Sequence, residues 1–251
     1  MTHIMGTIRR VTLSCRVPLA ITITGATAVL LCAAGPASAA TALLPVPLHT
    51  ANHFAVLAAT AVTNTGPTVL TGNPTVLIGD LGLSPGTAIT GFPPGVVTGT
   101  IHTADMAAQQ AQTDLTTAYN NAASRPDTAT IPTELGGTTV TAGVYNSAAG
   151  TFGITGTVTL NAQGNPRAVF IFQAASTLIT ASDSQVKLAN GARAANVFWL
   201  VGSSATLGTY SFFNGNVIAL ASITVTTGVT IAGRVLARTG AVTLDTDTIS
   251  K

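Results

Sequence analysis

Short apolar phrases recur along the second half of the chain: Val169-Phe170-Ile171-Phe172, Val197-Phe198-Trp199-Leu200-Val201, Val217-Ile218-Ala219-Leu220 and Val235-Leu236-Ala237. Val169, Val197, Val217 and Val235 open them, and the step between phrases shortens along the chain. A repeat this short with no helix inside it predicts stacked turns of β structure. About 18 to 20 residues hold three strands of typical short length and three corners, so each turn is triangular in section. The first strand of each turn is apolar at successive positions, as a strand covered on both faces reads. The second strand alternates. Ser176, Leu178, Leu207, Val225 and Leu244 are expected to point inward, and Thr177, Thr206, Thr224 and Thr243 outward as one column.

Ahead of this region the period changes. Ala104, Ala107, Ala108, Ala111, Leu115, Ala118, Tyr119 and Ala122 follow the spacing of one helical face. This predicts a long helix over 103–123, with Thr103 as N-cap and Asp105 in the first turn. Arg125-Pro126 ends it, because the residue before a proline resists the α region. The narrow alanine stripe suits it to cover the apolar first strands. From Thr60 to Val97 the chain alternates Gly, Pro and Thr with short apolar groups, Val69-Leu70, Val76-Leu77-Ile78, Leu81 and Leu83, which read as brief strands joined by tight corners. The expected fold is all-β dominated: an irregular three-faced β-solenoid with one α-helix alongside.

Residues 1–39 read as a secretory signal peptide: Arg9, Arg10 and Arg16 are the basic region, Val17 to Leu31 the apolar region, and Ala37-Ser38-Ala39 the cleavage site. A retained membrane anchor is the competing reading, and the apolar run is short for it. Cleavage leaves a single domain over 40–251. Cys15 and Cys32 leave with the leader, so no disulfide is expected. Seven basic residues then face eight acidic ones, a net charge near −1 where the whole chain carries +2. Nothing basic remains to hold nucleic acid or an anionic membrane. Charged residues are 7% of the chain, against about 25% for an ordinary globular protein. The surface is therefore neutral and rich in small hydroxyl side chains, which suits a broad uncharged partner.

Several phrases together resemble a known family. They are Asn52-His53-Phe54-Ala55-Val56-Leu57-Ala58, Gly79-Asp80-Leu81-Gly82-Leu83-Ser84-Pro85-Gly86, Ala168-Val169-Phe170-Ile171-Phe172-Gln173, Asn196-Val197-Phe198-Trp199 and Gly233-Arg234-Val235-Leu236-Ala237-Arg238. In this order, across about residues 50–249, they resemble the secreted ice-binding (antifreeze) proteins of bacteria, fungi and algae. The resemblance implies an irregular β-solenoid with three faces and a flanking helix. Some members carry a T-A/G-x-T/N motif on the ice-binding surface. Here it matches Thr60-Ala61-Val62-Thr63, Thr65-Gly66-Pro67-Thr68, Thr87-Ala88-Ile89-Thr90 and Thr227-Gly228-Val229-Thr230, so Thr60, Thr63, Thr65, Thr68, Thr87, Thr90, Thr227 and Thr230 are secondary candidates.

Ice offers neither charge nor pocket. A binder needs a rigid flat surface whose groups repeat regularly, and stacked strands repeat every 4.7–4.9 Å. Threonine adds an apolar methyl, a stiff χ1 and a hydroxyl that both donates and accepts. The candidate ice-binding face is the column Thr177, Thr206, Thr224 and Thr243, flanked by Ser204, Ser222 and Thr226, with Ile179 and Asp245 interrupting its edge. The alternative face is the third strands, with Thr159, Thr230 and Thr248, where Lys187 disturbs a neutral surface. Asp80, Asp105, Asp114, Asp127, Asp183 and Glu134 are scattered, Asp245 and Asp247 lack further ligands, and His49, His53 and His102 lack metal-ligand spacing. Neither an enzyme, a cofactor nor a metal is expected. Trp199 and Phe198 are expected in the core or under the helix, with sugar stacking by Trp199 the less favoured alternative. The partner is ice or another extended neutral surface, and the protein a released monomer. The rival is a secreted structural or adhesive module of the same fold, holding glycans or another surface without ice activity.

Overall fold

In the computed structural model, residues 43–67, 69–71 and 79–251 are described. The leader, Thr68 and the apolar group at 76–78 lie outside these residues. The fold is mostly β with one long helix, and every strand pairing among the described residues is parallel. The chain returns to the same three ladders of strands. The first ladder includes Gly143–Asn146, Phe170–Ala174 and Val197–Val201. The second holds Phe152–Ile154, Leu178–Thr180, Ala205–Leu207, Ile223–Val225, Val242–Leu244, Ala61–Asn64 and Ala88–Thr90, in that spatial order. The third includes Thr157–Asn161, Gln185–Ala189 and Thr248–Ser250.

Phe212–Ala219 and Thr230–Ala237 are eight-residue strands that each serve two ladders. Their first halves lie in the third ladder and their second halves in the first, with a corner between. Gly215 and Gly233 face each other at that corner with φ of 122° and 144°. This backbone region is open to glycine alone, and a Cβ on Gly215 would meet the Trp199 indole nitrogen at 2.8 Å.

Phe54–Ala58, Ala61–Asn64 and Val69–Thr71 do not begin a separate stack. They pair with the strands at the C-terminal end, through Val56↔Val235, Val62↔Val242 and Val69↔Thr248. Asp80–Leu83, Ala88–Thr90 and Val96–Val97 continue the three ladders outward, and Ile101–Thr103 ends the first. The chain must then travel back to Ala129–Thr130 at the opposite edge of the nine-strand first ladder, about 38 Å at ordinary strand spacing. The helix Met106–Ala123 makes most of that return, about 27 Å at 1.5 Å per residue.

Two apolar layers result. The inner one is lined by alternate residues of all three ladders, with Phe172 stacked on Trp199 at 4.0 Å between ring centroids and 10° between planes. The Trp199 indole N–H donates to the Asn214 carbonyl at 3.1 Å, so this buried ring keeps its polar atom satisfied. Trp199 and Phe198 are both buried, as their context predicts. The outer layer lies between the helix and the first ladder. Ala108, Ala111, Leu115, Ala118 and Ala122 are buried there, and all but Ala108 pack with residues that include Phe54, Leu57, Ile171, Phe198, Leu200, Ile218 and Leu236.

The helix starts later than its period predicts. Asp105, not Thr103, is the N-cap, accepting a hydrogen bond from the Ala108 N–H at 2.9 Å. Ala104 has φ of 51°, a left-handed conformation that stops the helix extending backward. Ala104 thus lies outside the helix, and Ala107 within it is exposed, so neither joins the stripe. Ser176 is also exposed, although its phase in the sequence points it inward.

Replacing Ala111 by leucine forces a larger side chain between helix and sheet. This is expected to cost about 1–3 kcal/mol in denaturant unfolding, while Ala107→Leu on the same helix stays within about 0.5 kcal/mol of the parent. Equal losses for the two would contradict this placement of the stripe.

Candidate ice-facing surface

The second ladder presents one continuous outward column. Its register runs Gly153↔Ile179↔Thr206↔Thr224↔Thr243↔Thr63↔Thr90. Five threonines therefore stand side by side over about 19 Å, at one strand spacing per rung. The flanking residues Ala205, Leu207, Ile223, Val225, Val242, Leu244 and Val62 are buried and fix which face Thr206, Thr224, Thr243 and Thr63 take. The hydroxyls of Thr63, Thr90, Thr206, Thr224 and Thr243 make no hydrogen bond within the described protein, and so stay free for the solvent side.

Thr206, Thr224 and Thr243 are where the sequence places them, but Thr177 is not in their column. The true repeat passes through Phe172↔Trp199↔Val217↔Val235, with equal steps among the last three and a longer step before them. Val169 stands in the outer layer and Val197 in the inner one, so the valines that open the apolar phrases belong to different faces. With the corrected repeat, Ile179 takes the position beside Thr206, and Thr177 falls one column over, beside Ser204 and Ser222.

That neighbouring column is engaged by the fold. Ser204 Oγ accepts from the Ser222 N–H at 3.3 Å, and Ser222 Oγ accepts from the Ala241 N–H at 3.2 Å. Thr226 donates to the Leu207 carbonyl at 2.8 Å and contacts the Thr209 hydroxyl at 3.2 Å. These three flanking candidates tie one turn to the next. Of the motif threonines, Thr63 and Thr90 extend the column, with Thr60 and Thr87 exposed just before their strands. Thr65 lies past its strand, within 3.4 Å of the Leu244 carbonyl. Thr227 donates to Asp245 at 2.6 Å, and Thr230 lies in the third ladder beside Phe212 and Thr248.

The third ladder is less uniform. Thr159 pairs with Lys187 and Thr139, whereas Thr230 and Thr248 share a row with exposed Phe212 and with Gln185. A cation and a bulky aromatic thus break the alternative face.

A family model for ice-binding-like proteins matches residues 56–250. The chain belongs to that family. This ice-binding-like chain is 51% identical over 205 residues to an ice-binding protein of Nostoc sp. (strain HG1), covering 81% of this chain and 73% of that one. It is 35% identical over 219 residues to an ice-binding protein of Flavobacterium frigoris (strain PS1), covering 81% and 75%. Among solved structures, an ice binding protein from an Antarctic biological consortium superposes with a TM-score of 0.79 at 49% identity, over 84% of this chain and 93% of the other. The ice-binding protein of the Antarctic ascomycete Antarctomyces psychrotrophicus gives 0.77 at 44% identity, over 82% and 98%.

The carboxylates at the margin of the ice-binding-like chain's threonine column serve its corners. Asp245 accepts from Thr227 and from Thr246, which hold its carboxyl below the usual carboxylate range. Asp247 is buried and accepts from the Val229 and Asp245 N–H groups at 2.9 and 2.8 Å. Burial pushes its carboxyl up to about 7, with the charge of Asp245 adding to the rise and the two N–H groups opposing it. His102 is paired with Asp105 at 2.6 Å and packs edge-on against Phe54, a structural place beside the helix cap.

In the folded chain Asp247 keeps its proton to higher pH than in the unfolded chain, where it ionises near 3.8. Its contribution to stability is whole below that value and declines as pH rises to about 7. Thermal unfolding followed across this range is expected to show a falling midpoint. Asp247→Asn flattens that slope and, by leaving one backbone N–H without an acceptor, costs about 1–3 kcal/mol.

Proposed function

We propose that this chain binds ice through the outward face of the second ladder, with Thr206, Thr224, Thr243, Thr63 and Thr90 as its centre. The observation that carries the reading is the unbroken register of five threonines whose hydroxyls the protein leaves free. Stiff β-branched side chains lose little entropy when a surface meets them, and the buried alternate residues hold them rigid. Methyl and hydroxyl groups repeating at one strand spacing order water without a charge to hydrate. Membership in the ice-binding-like family, with relatives named as ice-binding proteins, supports the same reading.

In this reading the three parallel ladders close into an irregular three-faced β-solenoid, with the helix over one face and the threonine column on the next. The protein is non-catalytic and needs no cofactor. It acts as a monomer released from the cell after loss of residues 1–39, with no affinity for nucleic acid. Among the described residues no helix is long and apolar enough to cross a membrane.

The test is to raise a bulky side chain on each candidate face. Thr224→Tyr and Thr63→Tyr are expected to abolish most thermal hysteresis and ice-crystal shaping, with unfolding midpoints close to the parent. Thr230→Tyr, on the third ladder, is expected to leave both intact. Loss in Thr230→Tyr with retention in Thr224→Tyr moves the binding face to the third ladder. Inactivity of the parent chain on ice defeats the reading altogether.

A further inference from the structure

The free-hydroxyl column stops at Thr206, but the outward column does not. Ile179 occupies the next rung, in register with Thr206 on one side and Gly153 on the other. Its side chain is 54% exposed, and it is the one exposed large hydrophobic in the second ladder among the described residues. Leaving such a side chain in liquid water is unfavourable, and removing it from water is the gain that apolar contact offers.

Isoleucine and threonine share a β-branch. Both carry a methyl on Cβ, and both have a stiff χ1 in a strand. Isoleucine replaces the hydroxyl with an ethyl group. A row of Cβ methyl groups can thus run through six rungs, from Ile179 to Thr90, while the hydroxyl row runs through five. Gly153, at the seventh position, has no side chain and ends both. Just before its strand, two residues ahead of Ile179, Thr177 stands in the neighbouring Ser204 column, so the apolar group lies in the column proposed to meet ice.

We propose that Ile179 is itself an ice-contact residue, which extends the binding surface by one strand through shape and apolar contact without a hydroxyl. This rests on the second ladder being the ice-facing surface. The footprint then spans six strands, about 24 Å from first rung to last. Ile179 is an extension of the face and not an interruption of it.

Ile179→Tyr, Ile179→Val, Ile179→Thr and Thr224→Tyr are compared by thermal hysteresis and by fluorescence of labelled protein adsorbed to a single ice crystal. Circular dichroism and unfolding midpoints confirm each fold. Ile179→Tyr is expected to lose hysteresis and adsorption as Thr224→Tyr does, because a protruding ring holds the ice away from the neighbouring rung. Ile179→Val keeps the β-branch without a hydroxyl and is expected to match Ile179→Thr. Full activity in Ile179→Tyr, with Thr224→Tyr inactive, overturns the proposal and ends the contact at Thr206. Activity in Ile179→Thr well above that of both Ile179→Val and the parent shows that the hydroxyl is what that rung lacks, and overturns the apolar role. Full activity in Thr224→Tyr instead defeats the choice of face on which the proposal rests.

Discussion

The register between the first strand of the fold and one of its last is the constraint on which the threonine row depends. Thr206, Thr224 and Thr243 come from the C-terminal turns, and Thr63 and Thr90 from the N-terminal ones. The pairings of Phe54–Ala58 with Thr230–Ala237, of Ala61–Asn64 with Val242–Leu244 and of Val69–Thr71 with Thr248–Ser250 join the two groups, and the second of them makes one row. A slip of one residue there would turn Thr63 and Thr90 inward and Val62 outward. The splice is held by Arg234, whose guanidinium donates to the Asn52 carbonyl at 3.1 and 3.0 Å and to the Asn216 side-chain oxygen at 2.9 Å. Burial pushes Arg234 down to about 10, so it stays charged at neutral pH and its donors need these acceptors. Lys251 adds a second cation on the His53 carbonyl. The two basic residues thus fasten the last strands to the first.

Insertion of the N-terminal turns at the C-terminal end creates the need for the helix. The chain leaves the stack at Ile101–Thr103 and must re-enter at the far edge of the same ladder. A helix is the compact way to cover that distance with its backbone hydrogen bonds satisfied internally. Because it crosses the first ladder, both faces of those strands are buried, which is why they read as continuous apolar runs. Its alanine stripe brings the helix axis close to the sheet without wedging the strands apart. One covered ladder and one bare ladder follow from the same return path.

The periods in the sequence carry the overall architecture but not its connectivity. Continuous apolar phrases mark the covered strands, alternation marks the second ladder, and the alanine spacing marks the helix. Thr206, Thr224 and Thr243 are legible because turns of equal length separate Trp199, Val217 and Val235. The preceding turn is longer, and Phe172, not a valine, holds the matching place. Counting valines there misplaces Thr177 by one column. Thr63 and Thr90 carry a local signal in the T-A-x-T phrases, but their membership in the row comes from pairing across more than half the chain. No local pattern reports such pairing. The helix start departs from its period for a local reason: Asp105 and Thr103 are both good caps, and the left-handed Ala104 between them decides in favour of Asp105.

Abundance of threonine and serine is a poor guide to the face because hydroxyls in this fold have two employments. At the margins of the second ladder they bond the backbone of the adjacent turn, as Ser204, Ser222 and Thr226 do, or a corner carboxylate, as Thr227 does. These bonds fix the spacing and orientation of neighbouring turns. In the middle of the strands Thr206, Thr224 and Thr243 point away from the sheet, and their hydroxyls make no hydrogen bond among the described residues. A hydroxyl there is left for solvent by the geometry of the sheet. The rigid margin and the unsatisfied centre are therefore complementary. Locking the edges costs those hydroxyls their freedom, and it gives the central column the regular, stationary spacing that a lattice of water requires.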